Sequence, residues 1–133
     1  MGWWCRLTLV VASRPMDPQH ALADLAEISS QIEAAAILDG DGSVAASTFA
    51  DAARAAAVGT LAGALLGAAS QAVAPGGEVV QLEAATAEGS VFLVRDGGRS
   101  IVAVTRPVPT VGLVFYDLKS ALRSCAPQAG GAV

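Results

Sequence analysis

The chain carries few residues that could do chemistry, and its densest polar cluster is Asp39-Gly40-Asp41-Gly42. Two aspartates one residue apart before a glycine match part of an EF-hand calcium loop, which also needs a glutamate six residues after that glycine. Thr48 occupies the glutamate position. We therefore expect no metal here. Because Asp and Gly favour tight turns, the four residues predict the turn of a β-hairpin.

The sequence contains one histidine and two cysteines, which limits the catalytic and zinc-binding arrangements that it could form. His20 falls near the start of a predicted helix, where a solvated side chain is expected. With no second histidine, most Ser-His-Asp, Cys-His and zinc arrangements lack support. Cys5 and Cys125 lie at opposite ends of the chain and form no C-x-x-C pair. They are interpreted as free thiols in a reducing cytoplasm.

Nucleotide and nucleic-acid signatures are also missing. The sequence has no G-x-x-x-x-G-K-[ST] loop, and its only lysine, Lys119, precedes Ser120 in a predicted helix. No G-x-G-x-x-G follows a predicted strand. The formal net charge of −4 argues against binding to a phosphate backbone, which needs clustered Lys and Arg. We therefore predict no catalytic residues, no cofactor, no metal and no nucleic-acid partner.

Apolar periodicity and turn residues predict eight secondary-structure elements. Asp17 and Pro18 are expected as the N-cap and first position of the first helix. Thr48, with Asp51 three residues on, is expected to cap the long helix. The predicted elements are a helix over 18–31, strands over 34–38 and 44–47, a long helix over 49–74, strands over 78–86, 90–95 and 100–105, and a helix over 111–125.

This order, α-β-β-α-β-β-β-α, predicts an α+β fold: one five-stranded antiparallel sheet with helices on both faces. No linker or internal repeat divides the 133 residues, which suit one domain. We place that domain at 16–125. Residues 1–15 are interpreted as a flexible segment or an over-extended start, and residues 126–133 as a disordered tail.

The long helix contains a run without charge from Ala55 to Gly77. The run is long enough to span a bilayer, but its glycines and polar residues and the lack of flanking basic clusters argue against a span. For a soluble helix, the face that covers the sheet is predicted as Val58, Leu61, Leu65, Ala69 and Val73.

Three glycines, Gly59, Gly63 and Gly67, recur every fourth residue on an adjacent strip of that helix. Each glycine costs roughly 0.5–1 kcal/mol against alanine inside a helix. The strip therefore indicates a close approach, either to the chain's own sheet or to a second copy of the helix.

The chain resembles the roadblock family, the dynein light chain roadblock-type domain also found in bacterial regulators of small GTPases. The segment "ALADLAEISSQIEAAAILDGDGSVAAST" resembles the first helix and hairpin of that family. The long helix, "VVQLEAATAEGSVFLVRDGGRSIVAVT" and "VGLVFYDLKSAL" resemble its remaining elements. The resemblance covers about Asp17 to Arg123 and implies the roadblock, longin-like fold.

The resemblance also implies a homodimer, in which the long helices pack together and the 78–86 strands pair edge to edge. The dimer contacts implied here are Gly59, Gly63, Gly67, Leu66, Val80 and Leu82. A Ras-like small GTPase is the implied partner. Exposed positions at the start of the long helix, Asp51, Arg54 and Ala55, are expected to face it.

Arginine is the residue type through which such a protein could act directly on a GTPase. Arg54, Arg95 and Arg99 are the candidates for an arginine finger, beside the simpler interpretation as solvated surface charges. A dimer could equally act by ordering the GTPase's own switch loops. The sequence thus favours a cytoplasmic, non-enzymatic homodimeric regulator or scaffold of a small GTPase.

Two other functions stay open on the sequence alone. One is a membrane-anchored adaptor or sensor that uses the N-terminal segment, with Trp3 and Trp4, or the long helix. The other is a small-ligand binding module on the same scaffold, because a fold does not determine a function.

Overall fold

A computed structural model describes residues 16–73 and 79–125 of the chain. The described elements are α1 (Pro18–Ile28), β1 (Ile32–Leu38), β2 (Val44–Ser47), α2 (Ala52–Ala72), β3 (Gln81–Thr86), β4 (Gly89–Asp96), β5 (Arg99–Thr105) and α3 (Val111–Cys125). Their order and class confirm the predicted α+β fold. The interpretations of residues 1–15 and 126–133 concern positions outside the described residues.

The five strands form one antiparallel sheet in the order β2-β1-β5-β4-β3. The strands β1 and β5 are paired so that Ala36 lies opposite Val102 and Leu38 opposite Ser100. The short strand β2 forms one edge of the sheet and β3 the other.

Helices cover both faces of this sheet, as the element order predicted. On one face, α1 and α3 pack on a core that includes Ile37, Phe92 and Ile101. Phe92 also makes an edge-to-face contact with Phe115, with ring centroids 5.0 Å apart. On the other face, α2 covers a smaller core that includes Leu93. Because side chains alternate along a strand, residues one apart serve opposite cores.

The start of α2 differs from the prediction. The helix begins at Ala52, and the Asp51 carboxylate caps it by accepting the Arg54 N–H at 2.7 Å. The expectation that Thr48 is the cap is therefore wrong. Thr48 extends the β1–β2 pairing instead: its backbone N–H donates to the Ala35 carbonyl at 2.8 Å, and its hydroxyl accepts the Ala35 N–H at 2.9 Å. These bonds delay the helix by three residues.

The first helix is also shorter than predicted. It ends at Ile28, and Ser29, in extended conformation, donates its N–H to the Leu25 carbonyl. Because β1 begins at Ile32, where it pairs with Thr105, the chain must leave the helix before that point. Helical periodicity does not register this tertiary pairing.

The buried face of α2 is not the predicted one. Its buried residues are Ala55, Gly59, Ala62 and Leu66, whereas Leu61 and Val73 are 58% and 52% exposed. The predicted face was therefore wrong at these two positions. A Cβ built on Gly59 would lie 3.2 Å from Leu38 Cδ2, so the helix lies too close to β1 for a large side chain there.

Candidate functional site

The outer face of α2 is an exposed stripe of apolar side chains. We call it the α2 stripe and define it as Ala57, Leu61, Ala64 and Ala68, all exposed and spaced 4, 3 and 4 residues apart. No charged residue follows Arg54 within the helix. Helices on the surface of a soluble domain normally place polar residues on this face, so an apolar one indicates a surface that something else covers.

By length and composition, α2 could also cross a membrane. It is the one helix among the described residues that passes this test, and 22% of its apolar window is buried inside the structure. A core helix of a soluble protein that passes the test is mostly buried. Most of the α2 window is instead open on the surface of the chain.

The edge strand β3 lies at the end of the sheet away from β2, and its Leu82 packs against the α2-side core. Within the described part of the chain it pairs on one side only, with β4, and five of its six residues are exposed. Glu83 is its only charged residue. Long uncharged edges invite pairing with another strand, so an edge protected by a single charge is suited to strand addition.

The six predicted dimer residues fall into different environments. Gly59 and Leu66 are buried inside the chain and face the sheet. Gly63 and Gly67 are exposed, with no atom within 4 Å of a Cβ built on either. Val80 is 55% exposed just before β3. The sixth, Leu82, is half-buried and packs against the α2-side core.

Sequence reasoning missed the α2 stripe because it assigned Leu61 to the sheet-facing side. The signal was present in the spacing of Ala55, Gly59, Ala62 and Leu66, which marks a continuous helix face. That face was overlooked because three of its four residues are alanine or glycine. When the small residues face the sheet, Leu61 must point outward.

The three predicted partner-facing positions at the start of α2 also differ in their exposure. Asp51 and Arg54 are exposed, and Asp51 is the N-cap of the helix. Ala55 is only 2% exposed. The expectation of an exposed Ala55 is therefore wrong, because this residue begins the buried face that continues with Gly59.

Two of the three candidate arginines hold structural elements together. Arg95 donates from Nε and Nη2 to the Val79 carbonyl, at 3.3 and 3.0 Å. Arg99 donates from Nε to Asp39 and from Nη1 to the Cys125 carbonyl, both at 3.0 Å. Burial raises the pKa of the Cys125 thiol, and Arg99 partly offsets this effect. The third arginine, Arg54, is exposed beside the α2 stripe.

The Asp39–Gly42 segment is a hairpin turn, as predicted. The Asp39 carbonyl accepts the Gly42 N–H at 2.9 Å, and the Asp39 N–H donates to the Ser43 carbonyl at 2.9 Å. Asp41 accepts the hydroxyl and N–H of Ser43, which lowers the pKa of Asp41. Since Asp39 pairs with Arg99, each carboxylate already has its own partner. Within the described residues, no three His, Cys, Asp or Glu side chains form a group that could hold a metal ion.

Comparison with solved structures identifies the fold. The chain matches a roadblock/LC7 domain from Streptomyces avermitilis with a TM-score of 0.73 and 18% identity, over 84% of this chain and 94% of that one. It matches Myxococcus xanthus MglB with a TM-score of 0.69 and 14% identity, over 80% and 89%. An MglB with a tetrameric arrangement matches with a TM-score of 0.68 and 20% identity, over 89% and 94%.

These likenesses confirm the roadblock fold that the sequence indicated. A scan against protein-family models gives no match, and a search of the curated proteins gives none either. At 14–20% identity, the shared property is the fold.

Proposed function

We propose that the chain forms a homodimer that regulates or scaffolds a Ras-like small GTPase in the cytoplasm without catalysing a reaction itself. The observation that carries this proposal is the exposed α2 stripe, together with the edge strand β3 that pairs on one side only among the described residues, in a fold similar to that of MglB. The resemblance to the roadblock family implies the class of partner.

A second copy of the chain would cover both features at once. Two α2 stripes packed about a two-fold axis would bury Leu61 and the three alanines of each copy, and removal of apolar surface from water favours association. Two β3 edges would supply each other's missing backbone partners. With 21 residues, α2 is about 30 Å long, and paired β3 edges would add to the area that two such helices bury.

Light scattering on a sizing column tests the dimer with the full chain. We expect a dimer for the wild type and a monomer for Leu61→Asp, because the aspartate would be desolvated in the packed stripe. Leu113→Asp is the matched control, since Leu113 is 50% exposed on α3, on the opposite side of the sheet. A monomeric wild type, or a control variant that dissociates equally, contradicts the dimer.

The GTPase would meet the dimer at the start of α2. Asp51 and Arg54 supply exposed charges of opposite sign there, next to the uncharged stripe. Contacts at this end could order the switch loops of a GTPase, and Arg54 is the arginine best placed to reach a bound nucleotide. No residue of this chain has to be consumed or to carry a covalent intermediate in such a role.

Pull-down with a panel of Ras-like GTPases, each loaded with GDP or a non-hydrolysable GTP analogue, tests the partner. We expect one nucleotide state of at least one GTPase to be retained preferentially. GTP hydrolysis by the retained GTPase, measured with wild type and Arg54→Ala, separates a finger from a scaffold. Retention of none, in either state, contradicts the proposal.

Membrane attachment through α2 is the second candidate function, favoured by the length and apolar composition of that helix. Flotation with phosphatidylcholine vesicles distinguishes it from the dimer. Co-flotation that Leu61→Asp abolishes would support attachment. A chain that stays with the aqueous fraction and elutes as a dimer without detergent would rule it out.

A further inference from the structure

A narrow groove of about 150 Å³ lies between α1 and α3. Leu25 and Ile28 line it from α1, and Ser120 and Ala121 line it from α3. Typical small-molecule sites are larger, at roughly 300–1,000 Å³, whereas a cavity of about 150 Å³ can hold a benzene-sized group. The groove therefore suits one large side chain of a peptide segment better than it suits a whole small ligand.

Large apolar side chains are exposed along this groove. Ile28, which lines it, is 71% exposed. On α3, Leu113 and Tyr116 are 50% and 68% exposed. They precede Ser120 at spacings of 3 and 4 residues, so the three lie on one face of the helix. A cluster of exposed apolar side chains indicates a surface that another segment or molecule covers.

The described part of the chain begins at one end of the groove. Met16 lines the groove, donates its N–H to the Ser124 carbonyl at 2.8 Å, and has its sulfur 3.9 Å from the Ser124 hydroxyl. These contacts fix the point from which residues 1–15 extend. Binding of those residues to the groove would be intramolecular, with an effective concentration on the order of mM.

Residues 1–15 have the length and composition to cover the groove. Ile28 lies roughly 18 Å along the chain from Met16 at 1.5 Å per helical residue, and the same number of residues separates Trp4 from Met16. An extended segment would reach farther. The segment contains both tryptophans of the chain, Trp3 and Trp4, and the apolar run Leu7–Ala12. A tryptophan ring would fill the groove and contact the Met16 sulfur, which packs favourably on aromatic rings.

The charges on the two sides are complementary. Residues 1–15 contain two cations, Arg6 and Arg14, and no aspartate or glutamate. The helix α1 has the opposite balance, because Asp24 lines the groove, Glu27 is exposed, and no lysine or arginine is present in the helix. Complementary charges at the rim of an interface favour the correct partner and its orientation.

We propose that residues 3–12 pack on the groove between α1 and α3 of the same chain, with a tryptophan ring in the groove. Arg6 lies toward the acidic rim formed by Asp24 and Glu27. The segment covers Ile28 and keeps the tryptophans away from lipid and from other proteins. The proposal is independent of the GTPase partner and of the dimer.

Intrinsic fluorescence of the full chain tests the proposal, because both tryptophans lie in the segment. We expect the emission of the folded chain to be blue-shifted from that of the urea-unfolded chain, and its quenching by acrylamide to be several-fold weaker. Both signals should persist at concentrations where the chain is monomeric. Emission like that of the unfolded chain overturns the proposal. Protection that is lost on dilution also overturns it, because the segment would then bind a second copy.

Variants on the two walls of the groove make the test specific. Ile28→Asp should abolish the blue shift and restore strong quenching, because packing of the segment would desolvate the new carboxylate. Ser120→Glu, on the α3 wall, should act in the same direction. Leu61→Asp is the matched control, since Leu61 is 58% exposed on α2, across the sheet from the groove. It should leave both signals as in the wild type.

Circular dichroism verifies that each variant is folded. The proposal is overturned if Ile28→Asp and Ser120→Glu leave the fluorescence unchanged, or if Leu61→Asp alters it as much as Ile28→Asp does. Phosphatidylcholine vesicles provide the last comparison, and we expect them to leave the wild-type emission unchanged. A blue shift that arises only when vesicles are added would overturn the proposal, because the tryptophans would then bind lipid instead of the groove.

Discussion

The two faces of the sheet are built from different kinds of side chain. The face covered by α1 and α3 buries large residues completely, among them Leu22, Phe92, Leu118 and Leu122, each at most 1% exposed. On the face covered by α2, the strands bury Leu38, Leu93 and Val102, but the helix itself contributes only alanine, glycine and one well-buried leucine, Leu66. The first face is sealed by the chain itself. The second leaves both a cleft beside α2, lined by Gly63 and Gly67, and an exposed apolar stripe.

This difference separates stability from interaction. Burying a Leu or Phe side chain contributes about 1.5–3 kcal/mol, so the face with large residues supplies most of the free energy of folding. An alanine-rich helix contributes little by packing on its own sheet. The small, uncharged residues of α2 are better explained by an interaction partner that packs closely against the exposed side of the helix. Substitutions on the two faces test that division, beginning with the largest expected effect.

Truncating one leucine on each side of the sheet should lower the free energy of unfolding by very different amounts. Leu118→Ala should lower the free energy of unfolding by about 3 kcal/mol, because Leu118 is completely buried and its removal leaves a cavity. Leu61→Ala should change it by less than about 0.5 kcal/mol, measured by urea unfolding at a concentration where the chain is monomeric. Equal costs would show that α2 is as important for the core as α3.

The cap of α2 can be separated from its charge. Asp51→Ala should lower the free energy of unfolding by about 1 kcal/mol, because the Arg54 N–H loses its acceptor. Asp51→Asn should preserve stability, since asparagine also caps helices, while removing the charge expected to face a partner. If Asp51→Asn retains less GTPase in the pull-down but is as stable as the wild type, Asp51 contacts the partner. If both variants retain as much GTPase as the wild type, Asp51 only caps the helix.

The glycines of α2 should respond differently to alanine. Gly63→Ala should stabilise the monomer by roughly 0.5–1 kcal/mol, because open space lies above it and alanine favours helix. Gly59→Ala should gain less, since its new methyl would lie 3.2 Å from Leu38 Cδ2. Urea unfolding of both variants measures the difference. An equal increase in the free energy of unfolding at the two positions would mean that the Leu38 side chain moves aside without cost. Close packing would then not explain the glycine at position 59.

The smallest effect concerns Cys125, on the sealed face. Since burial raises the pKa of its thiol above the ordinary value of 9.0, the unfolded chain ionises first as pH rises. The free energy of unfolding should therefore fall above pH 9 more steeply for the wild type than for Cys125→Val. Parallel pH profiles from urea unfolding would show that the thiol titrates as if it were exposed.

Much of the fold followed from local patterns. Turn residues at Asp39–Gly42 and alternating apolar residues in the strands predicted the sheet, because these signals depend on near neighbours in the chain. The start of α2 was harder to predict than the starts of α1 and α3. Thr48 has the chemistry of a cap, but its pairing with Ala35 across the hairpin outweighs that local preference.

The candidate site was predictable only in part. The unusual composition of α2 and its glycine spacing are evident in the sequence, and so is the expectation of an unprotected strand. The division of the glycines is not, since Gly59 packs on β1 while Gly63 and Gly67 line a cleft. Identical residues at identical spacing carry no local signal that distinguishes them.

The sequence by itself determined the element order, the absence of charge along α2 after Arg54 and the types of group available for chemistry. All three depend on which residues are present and on their near neighbours. Only the tertiary structure decided that Leu61 points outward, that Ala55 is buried, and that Ser100 lies opposite both Leu38 and Arg95 on neighbouring strands. These depend on how a helix settles on a sheet and on strand register, which bring together residues distant in the chain.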